Sequence, residues 1–189
     1  MTELEEIKRL IKQFNAPGDF PAPLSNKELE AFGAIIGIEL PNDLRDWLKI
    51  SNGALVGTVP VYGLHRGNAP LSMERILRIF PLWRDRKWIP VAGDGCGNYY
   101  VMATQQEFGE GFPIVFVRPV SDKAPPRYIA ASDLGHFLVF LMETELRNDA
   151  LDAADMEVEP SLWFNKERAL RDDPAILKFH GVPLPWEAG

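Results

Sequence analysis

The stretch KWIPVAGDGCGNYYVMA, from Lys87 to Ala103, decides the fold of this chain. Its two ends, Lys87 to Ala92 and Tyr99 to Ala103, are rich in the apolar and aromatic residues that favour strands. Between them, Gly93 to Asn98 has the glycine, aspartate and asparagine content of a tight turn. A connection this short joins antiparallel neighbours, so the stretch predicts a β-hairpin.

Further strands and a helix are predicted downstream of this hairpin. Pro113 to Arg118 is predicted as a third strand, and Arg127 to Ala130 as a short edge strand. Ser132 or Asp133 can then cap a helix that runs to about Arg147. The apolar side of that helix consists of Leu134, Phe137, Leu138, Leu141 and Leu146.

Upstream of the hairpin, helical patterns dominate and Val59 to Leu64 is the only predicted strand. Ser25 and Glu28 form a capping box, which predicts a helix that ends at Gly37. A first helix is predicted over Leu4 to Phe14. Another starts at Pro41 and is ended by Ser51-Asn52-Gly53. A third is predicted over Leu71 to Phe80, with Ser72 as a candidate cap.

Helices, then a run of strands joined by short turns, then a helix predict an α+β fold: an antiparallel sheet with helices packed on one face. We expect this domain to cover residues 26–147. Residues 1–25 are interpreted as an N-terminal helix and a proline-rich linker, and residues 148–189 as an acidic linker and a C-terminal helical appendage.

The C-terminal appendage contains two short helical patterns, Asn165 to Arg171 and Pro174 to Phe179. It also carries two tryptophans, Trp163 and Trp186, which we expect to anchor it to the domain. The appendage is therefore predicted to lie over the domain.

Length and charge narrow the classes of function. A chain of 189 residues buries roughly 70% of its unfolded surface and needs no disulfide or metal for stability. One cysteine, no signal-peptide pattern and no apolar run of membrane-spanning length predict a cytoplasmic protein. A net charge of −7 disfavours nucleic acid and suits a basic protein partner.

Several segments of the chain occur in an order and spacing that resemble one known family, the SUKH superfamily, over Asn26 to Leu146. The segments are Leu40-Pro41, Leu44, Trp47-Leu48, Ser51-Asn52-Gly53, Trp88 to Ala92, Asp94-Gly95, Gly97-Asn98, Pro113 to Val117, Ala130 to Leu134 and Phe137-Leu138. The chain departs from a minimal member in its long tail after Arg147 and in its long, basic stretch from Arg66 to Lys87.

This resemblance implies a binding domain, since the family is not known for a conserved catalytic centre. Bacterial members of the superfamily are regarded mostly as immunity proteins that neutralise toxins delivered between cells, and fungal members as regulatory interaction proteins. The leading hypothesis is therefore a non-catalytic, immunity-type protein that binds a toxin through an open face of its sheet and nearby loops. The alternatives are a housekeeping regulatory or scaffold protein, and a small-molecule binder or enzyme of unknown type.

The glycine-rich turn between Asp94 and Asn98 is the first candidate site. A phosphate-binding loop needs a helix N-terminus behind it, but a strand follows here. A calcium loop needs several spaced carboxylates, and Asp94 is the only one. We interpret the segment as a structural turn whose Asp94 and Asn98 are candidates for contact with a protein partner.

Cys96 is a candidate nucleophile only if a histidine lies beside it in space, and His65, His136 and His180 are all distant in sequence. The same four residues lack the paired spacing of a zinc site, so no metal or cofactor is predicted. We favour the interpretation that Cys96 lies in the turn incidentally and is not a nucleophile.

Ser132, Asp133 and His136 have the composition of a catalytic triad. They lie within one helical turn, where side chains do not converge in triad geometry. Ser132 and Asp133 are better explained as helix caps.

A basic stretch interleaved with aromatic residues is the remaining pattern typical of nucleic-acid binding. We favour a solvated surface with the tryptophans in the core, because the chain as a whole is acidic. Trp47 is likewise expected in the core. The stretch consists of Arg75, Arg78, Phe80, Trp83, Arg84, Arg86, Lys87 and Trp88.

The acidic run from Asp149 to Glu159 admits two interpretations. It is either a solvated linker or a contact surface for a basic toxin domain, with Asp149, Asp152 and Asp155 as the contact residues. Charge complementarity in the second case would mainly raise the association rate and the specificity.

Overall fold

The structure is a computed structural model, and it describes residues 2–14, 19–65, 71–157 and 160–188. Seven α-helices and six strands are found within those ranges. The helices are α1 (Glu3–Ile11), α2 (Asn26–Ile36), α3 (Asn42–Leu48), α4 (Met73–Ile79), α5 (Leu82–Asp85), α6 (Leu134–Ala153) and α7 (Lys166–Asp172). The strands are β1 (Ala54–Val56), β2 (Val59–Val61), β3 (Trp88–Gly93), β4 (Tyr99–Ala103), β5 (Ile114–Val117) and β6 (Pro126–Ala131).

The predicted capping box at the start of α2 is confirmed. The Ser25 N–H donates to the Glu28 carboxylate at 2.8 Å, and the Ser25 hydroxyl accepts from the Glu28 N–H at 3.4 Å. Gly37 ends the helix at φ 69°, a left-handed conformation that glycine adopts at little cost. These local interactions fix both ends of α2 without help from the rest of the fold.

The six strands form one antiparallel sheet in the order β1-β2-β3-β4-β5-β6, so the α+β class is confirmed. The hairpin of β3 and β4 lies at its centre, as the sequence predicts. The strand predicted over Val59 to Leu64 ends at Val61, and it pairs with β1, which the pattern does not reveal. Three residues are too few to show an alternation of polar and apolar side chains.

Helices cover the centre of the sheet on both sides. Tyr99 and Tyr100 are consecutive in β4, so their side chains point to opposite faces. The Tyr99 ring lies 5.6 Å from that of Trp83 in α5, and the Tyr100 ring lies 4.8 Å from that of Phe137 in α6. The long α6 therefore covers one face, as expected, while α4 and α5 add cover to the other.

The sheet has no open face in its central strand. All six residues of β3 are buried. The expectation that a partner binds an open sheet face is therefore wrong for the centre of the sheet. The exposed side chains within the strands lie in the two edge strands, at Leu55 in β1 and Arg127 in β6.

The helix α6 continues to Ala153, beyond the predicted end near Arg147. Residues 148–153 contain neither glycine nor proline, so nothing in the backbone ends the helix earlier. The first part of the predicted acidic linker is consequently helical.

The C-terminal appendage is part of the core. Asn165 caps α7 by accepting from the Arg168 N–H at 3.0 Å, and the segment Pro174–Lys178 forms a 3₁₀ helix. The buried side chains of the described part of the appendage are Trp163, Ala169, Asp173, Ile176, Phe179 and Pro185. The appendage also covers the sheet edge, where the Ile129 N–H of β6 donates to the Pro183 carbonyl at 3.0 Å.

The segment Ser51-Asn52-Gly53 joins α3 to the sheet. The Asn52 side chain accepts from the Leu64 N–H at 2.6 Å, and the Ser51 hydroxyl donates to the Gly53 carbonyl at 2.6 Å. Gly63 lies against this segment so closely that an added Cβ would stand 2.5 Å from the Asn52 carbonyl carbon. The segment Ser51-Asn52-Gly53 therefore leaves room only for glycine at position 63.

We expect Gly63→Ala to lower the free energy of unfolding by about 1–3 kcal/mol, because a backbone atom blocks the new methyl group. Urea denaturation followed by circular dichroism measures the change. Gly33→Ala is the matched control, since its Cβ would meet the Ile38 carbonyl oxygen at an ordinary 3.6 Å within α2. The control is expected to be neutral or stabilising, and equal losses in both variants would contradict the prediction.

Candidate partner-binding surface

Three turns and the end of α6 lie together at one end of the sheet, here called the hairpin end. The pairing of Gly93 with Tyr99 and of Tyr99 with Val117 brings the turn 94–98 beside the loop 118–125. The β1–β2 turn, Gly57-Thr58, lies at the same end, because β2 pairs antiparallel with β3. The helix α6 starts at the opposite end, after β6, and runs back to the hairpin end.

Asp94 and Asn98 shape the central turn of the hairpin end. The Asp94 carboxylate accepts from the Cys96 N–H at 2.8 Å, from the Asn98 N–H at 3.0 Å and from the Asn98 side chain at 2.6 Å. Both candidate contact residues are only half-buried, but their polar atoms bind each other. The groups presented outward are Gly95, Cys96 and Gly97, all exposed.

Glu145 connects α6 to the β1–β2 turn. Its carboxylate accepts from the Thr58 N–H at 3.4 Å, and it lies where a side chain at position 57 would otherwise stand. Gly57 therefore makes room for it. Burial raises the pKa of Glu145, the Thr58 N–H opposes that shift, and the negative charge of Asp149 adds to it.

The candidate acidic residues follow Glu145 along the same helix. Asp149 and Asp152 lie four and seven residues after it, on one side of α6, and Asp155 follows the helix end at φ 55°. All three aspartates are exposed. Glu145, Asp149, Asp152 and Asp155 are here called the acidic ridge. Glu159, at the end of the predicted acidic run, lies outside the described residues.

Sequence reasoning missed Glu145, although a signal for it exists. It precedes Asp149 by one helical turn, and that spacing predicts a shared helix face. What the sequence cannot show is its contact with Thr58, which is 87 residues away. This contact places the acidic ridge beside the hairpin turns.

Of the two residues that the sequence predicts as caps, Ser132 and Asp133, Asp133 is the N-cap of α6. Asp133 accepts from the His136 N–H at 2.9 Å and lies 2.8 Å from the imidazole Nδ1. The Ser132 hydroxyl donates to the same Asp133 carboxylate at 3.2 Å. The three side chains are thus arranged around the start of α6, at the end opposite Cys96.

The aromatic residues of the basic stretch belong to the core. Trp83 and Trp88 are fully buried, and Phe80 stacks on Trp83 with ring centroids 4.5 Å apart. Arg86 pairs with Glu107 at 3.0 Å and lies over the Trp88 ring. The interpretation of Trp83, Trp88 and likewise Trp47 as core residues is confirmed.

The described residues contain neither a metal-binding cluster nor a membrane-spanning helix. Among them, no group of three or more histidine, cysteine or acidic residues is placed to hold a metal ion. In the same part of the chain, no helix is long and apolar enough to cross a membrane.

The fold and the hairpin end define a class: an α+β domain with a six-stranded antiparallel meander and a charged surface at its turns. The chain belongs to the SMI1/KNR4 family (SUKH-1), whose family model matches residues 23–139. No curated protein matches the chain. The matched residues include the turn 94–98 and end before Glu145, so the acidic ridge lies outside the family match.

Proposed function

We propose that this chain is a non-catalytic protein-binding domain of the immunity type, which binds a toxin in the cytosol and neutralises it. Family membership supports a binding domain. The hairpin end supplies a preorganised surface, because hydrogen bonds within the domain already hold its turns. The partner we propose is a basic toxin domain.

The observation that carries this proposal is the position of the acidic ridge at the C-terminal end of α6. The helix dipole makes that end negative, so a carboxylate in the last turn, such as that of Asp152, is unfavourable by about 0.3–1 kcal/mol. The last turn of α6 contains no basic residue that would offset the effect. Exposed acidic side chains at a position where they reduce stability are better explained by a basic partner than by the fold.

Toxin domains encoded beside this gene are the natural test. Each is produced in a host cell with and without the chain, and growth is measured. Rescue of growth by the chain, with recovery of the toxin in a pull-down, is the expected result. The proposal is wrong if no neighbouring toxin is neutralised or bound.

We expect the triple substitution Asp149→Asn, Asp152→Asn and Asp155→Asn to slow association with the toxin by about tenfold, because it removes the steering field of the acidic ridge. Stopped-flow or surface-based kinetics at low and high salt measures the rate, and the difference between wild type and variant should shrink at high salt.

The matched control replaces Glu30, Glu39 and Glu110, which are equally exposed, with glutamine. It changes the net charge by the same amount away from the ridge, so its association rate is expected to stay close to that of the wild type. Equal slowing in both triple variants would show that net charge alone is responsible.

A further inference from the structure

The β5–β6 loop presents an apolar tip among basic side chains. Val120 is 96% exposed, the most exposed of the large hydrophobic residues in the described part of the chain. Arg118, Lys123 and Arg127 around it are exposed as well. A basic, apolar-tipped loop is unexpected on a chain with a net charge of −7.

The two arginines border a small notch. Arg118, Val120, Ala124, Pro125 and Arg127 line a depression of about 290 Å³, whose apolar part includes the buried Ala124. Arg118 directly follows β5, and Arg127 is the β6 residue at the register shift between Pro126 and Tyr128. The notch therefore combines two guanidinium groups with an apolar surface.

Neither arginine has an ion-pair partner among the described residues. Asp122, the only carboxylate in the loop 118–125, pairs with neither of them. Arg9, Arg78, Arg86, Arg168 and Arg171 have carboxylate partners, whereas Arg45, Arg75 and Arg84, like the two arginines of the notch, have no ion pair among the described residues. The positive charge at this notch is thus available to an outside group.

A carboxylate next to a small apolar side chain complements the notch. Guanidinium groups bind carboxylates through paired N–H donors, and the apolar surface can take a residue such as valine. The negative net charge of the whole chain disfavours a polyanion such as nucleic acid, which binds by extended phosphate neutralisation. The complementary ligand is an acidic segment of a protein.

The notch and the acidic ridge lie on the same hairpin end. Glu145 contacts the β1–β2 turn, and the notch lies at the turn of β5 and β6. Strands are spaced about 4.8 Å apart, so three to four strand spacings separate the two by about 15–20 Å. One protein interface of standard size spans that distance.

We propose that the β5–β6 notch binds an acidic segment of the partner protein, while the acidic ridge binds a basic one. This inference rests on the proposed function and adds to it, since it requires a partner with two opposite charges in a fixed arrangement. The basic notch and the acidic ridge together orient the partner, because a reversed partner would bring like charges together.

The test uses the full chain, isotopically labelled, and blocked peptides in place of the partner. We expect Glu-Val-Glu-Val-Glu to shift the amide resonances of residues 118–127, and Lys-Val-Lys-Val-Lys to shift those of the acidic ridge. Glu-Ser-Glu-Ser-Glu should bind the notch several-fold more weakly, because it lacks the apolar side chains. Arg118→Glu with Arg127→Glu should weaken the acidic peptide by about tenfold.

The matched control is Lys27→Glu with Lys166→Glu, two exposed lysines with the same charge change. It should leave the acidic peptide's affinity unchanged. Failure of the acidic peptide to shift residues 118–127, or equal weakening in both double variants, overturns the proposal. So does equal binding of a single-stranded oligonucleotide at the notch, or a shift that depends only on the chain's own concentration. Peptide binding without toxin neutralisation would reject the immunity function alone.

Discussion

Replacing Trp163 with alanine is expected to lower the free energy of unfolding by about 3–5 kcal/mol, the range for a large buried aromatic residue. Trp163 lies in the C-terminal appendage, outside the family match, yet it is only 2% exposed. A loss of this size would show that the appendage and the sheet form one cooperative core.

The reason for the large effect is the aromatic cluster that Trp163 completes. Its ring lies 5.5 Å from that of Tyr100 in β4 and 5.6 Å from that of Phe137 in α6. A hydrogen bond holds the backbone beside Trp163 against α6, because the Leu162 N–H donates to the buried Thr144 hydroxyl at 3.1 Å. Alanine would leave a cavity between strand and helix that neighbouring secondary structure prevents from closing.

Urea denaturation followed by circular dichroism measures the loss, since removal of a tryptophan alters fluorescence directly. Trp186→Ala is the matched control, because Trp186 lies in the same appendage but is only partly buried. Its effect should be clearly smaller. A loss below about 1 kcal/mol for Trp163→Ala, or equal losses in the two variants, would mean that the appendage is not part of the core.

The elements that the sequence predicts well are those with local causes. The β3–β4 hairpin follows from strand residues on either side of a glycine-rich turn, and α2 follows from its capping box and Gly37. Each of these signals acts within a few residues. The α+β class could be predicted from the order of such elements alone.

The features that could not be predicted depend on contacts between distant residues. The strand β1 exists because it pairs with β2, and its three residues carry no pattern of their own. The cover that α4 and α5 give to the second sheet face depends on where Trp83 inserts, which no local pattern specifies. The hydrogen bond that joins the edge strand β6 to Pro183 also connects residues that are distant in sequence.

The candidate surface was predicted in part. Asp94 and Asn98 are where the turn chemistry puts them, but the structure shows their polar atoms bonded to each other. Asp149 and Asp152 prove to be helical, and Glu145, which ties them to the β1–β2 turn, was missed. The contact with a partner stays a prediction for all of these residues.

His136 holds three segments of the chain together through charge. Asp133 in the cap of α6 lies 2.8 Å from its Nδ1, and Glu3 in α1 lies 3.7 Å from its Nε2. Asp173 of the appendage acts on it electrostatically. Burial alone would lower the pKa of His136, but the Asp133 hydrogen bond and the three negative charges outweigh burial and raise the pKa to about 9.

This shift makes the stability of the fold depend on pH between about 6.5 and 9. The folded-state pKa of His136 is raised from 6.5 to about 9, so its stabilisation is complete below pH 6.5 and is lost as the pH rises through 9. The total is about 3 kcal/mol, since each pKa unit corresponds to about 1.4 kcal/mol.

Urea denaturation at pH values from 6 to 9.5 should show this fall in the stability of the wild type and a much flatter profile in His136→Gln. His180→Gln is the control, because His180 is exposed and should leave the slope intact. A wild-type slope retained in His136→Gln would contradict the assignment, because the attraction of Glu3 in α1 and Asp173 in the appendage to the start of α6 would then not depend on this imidazole.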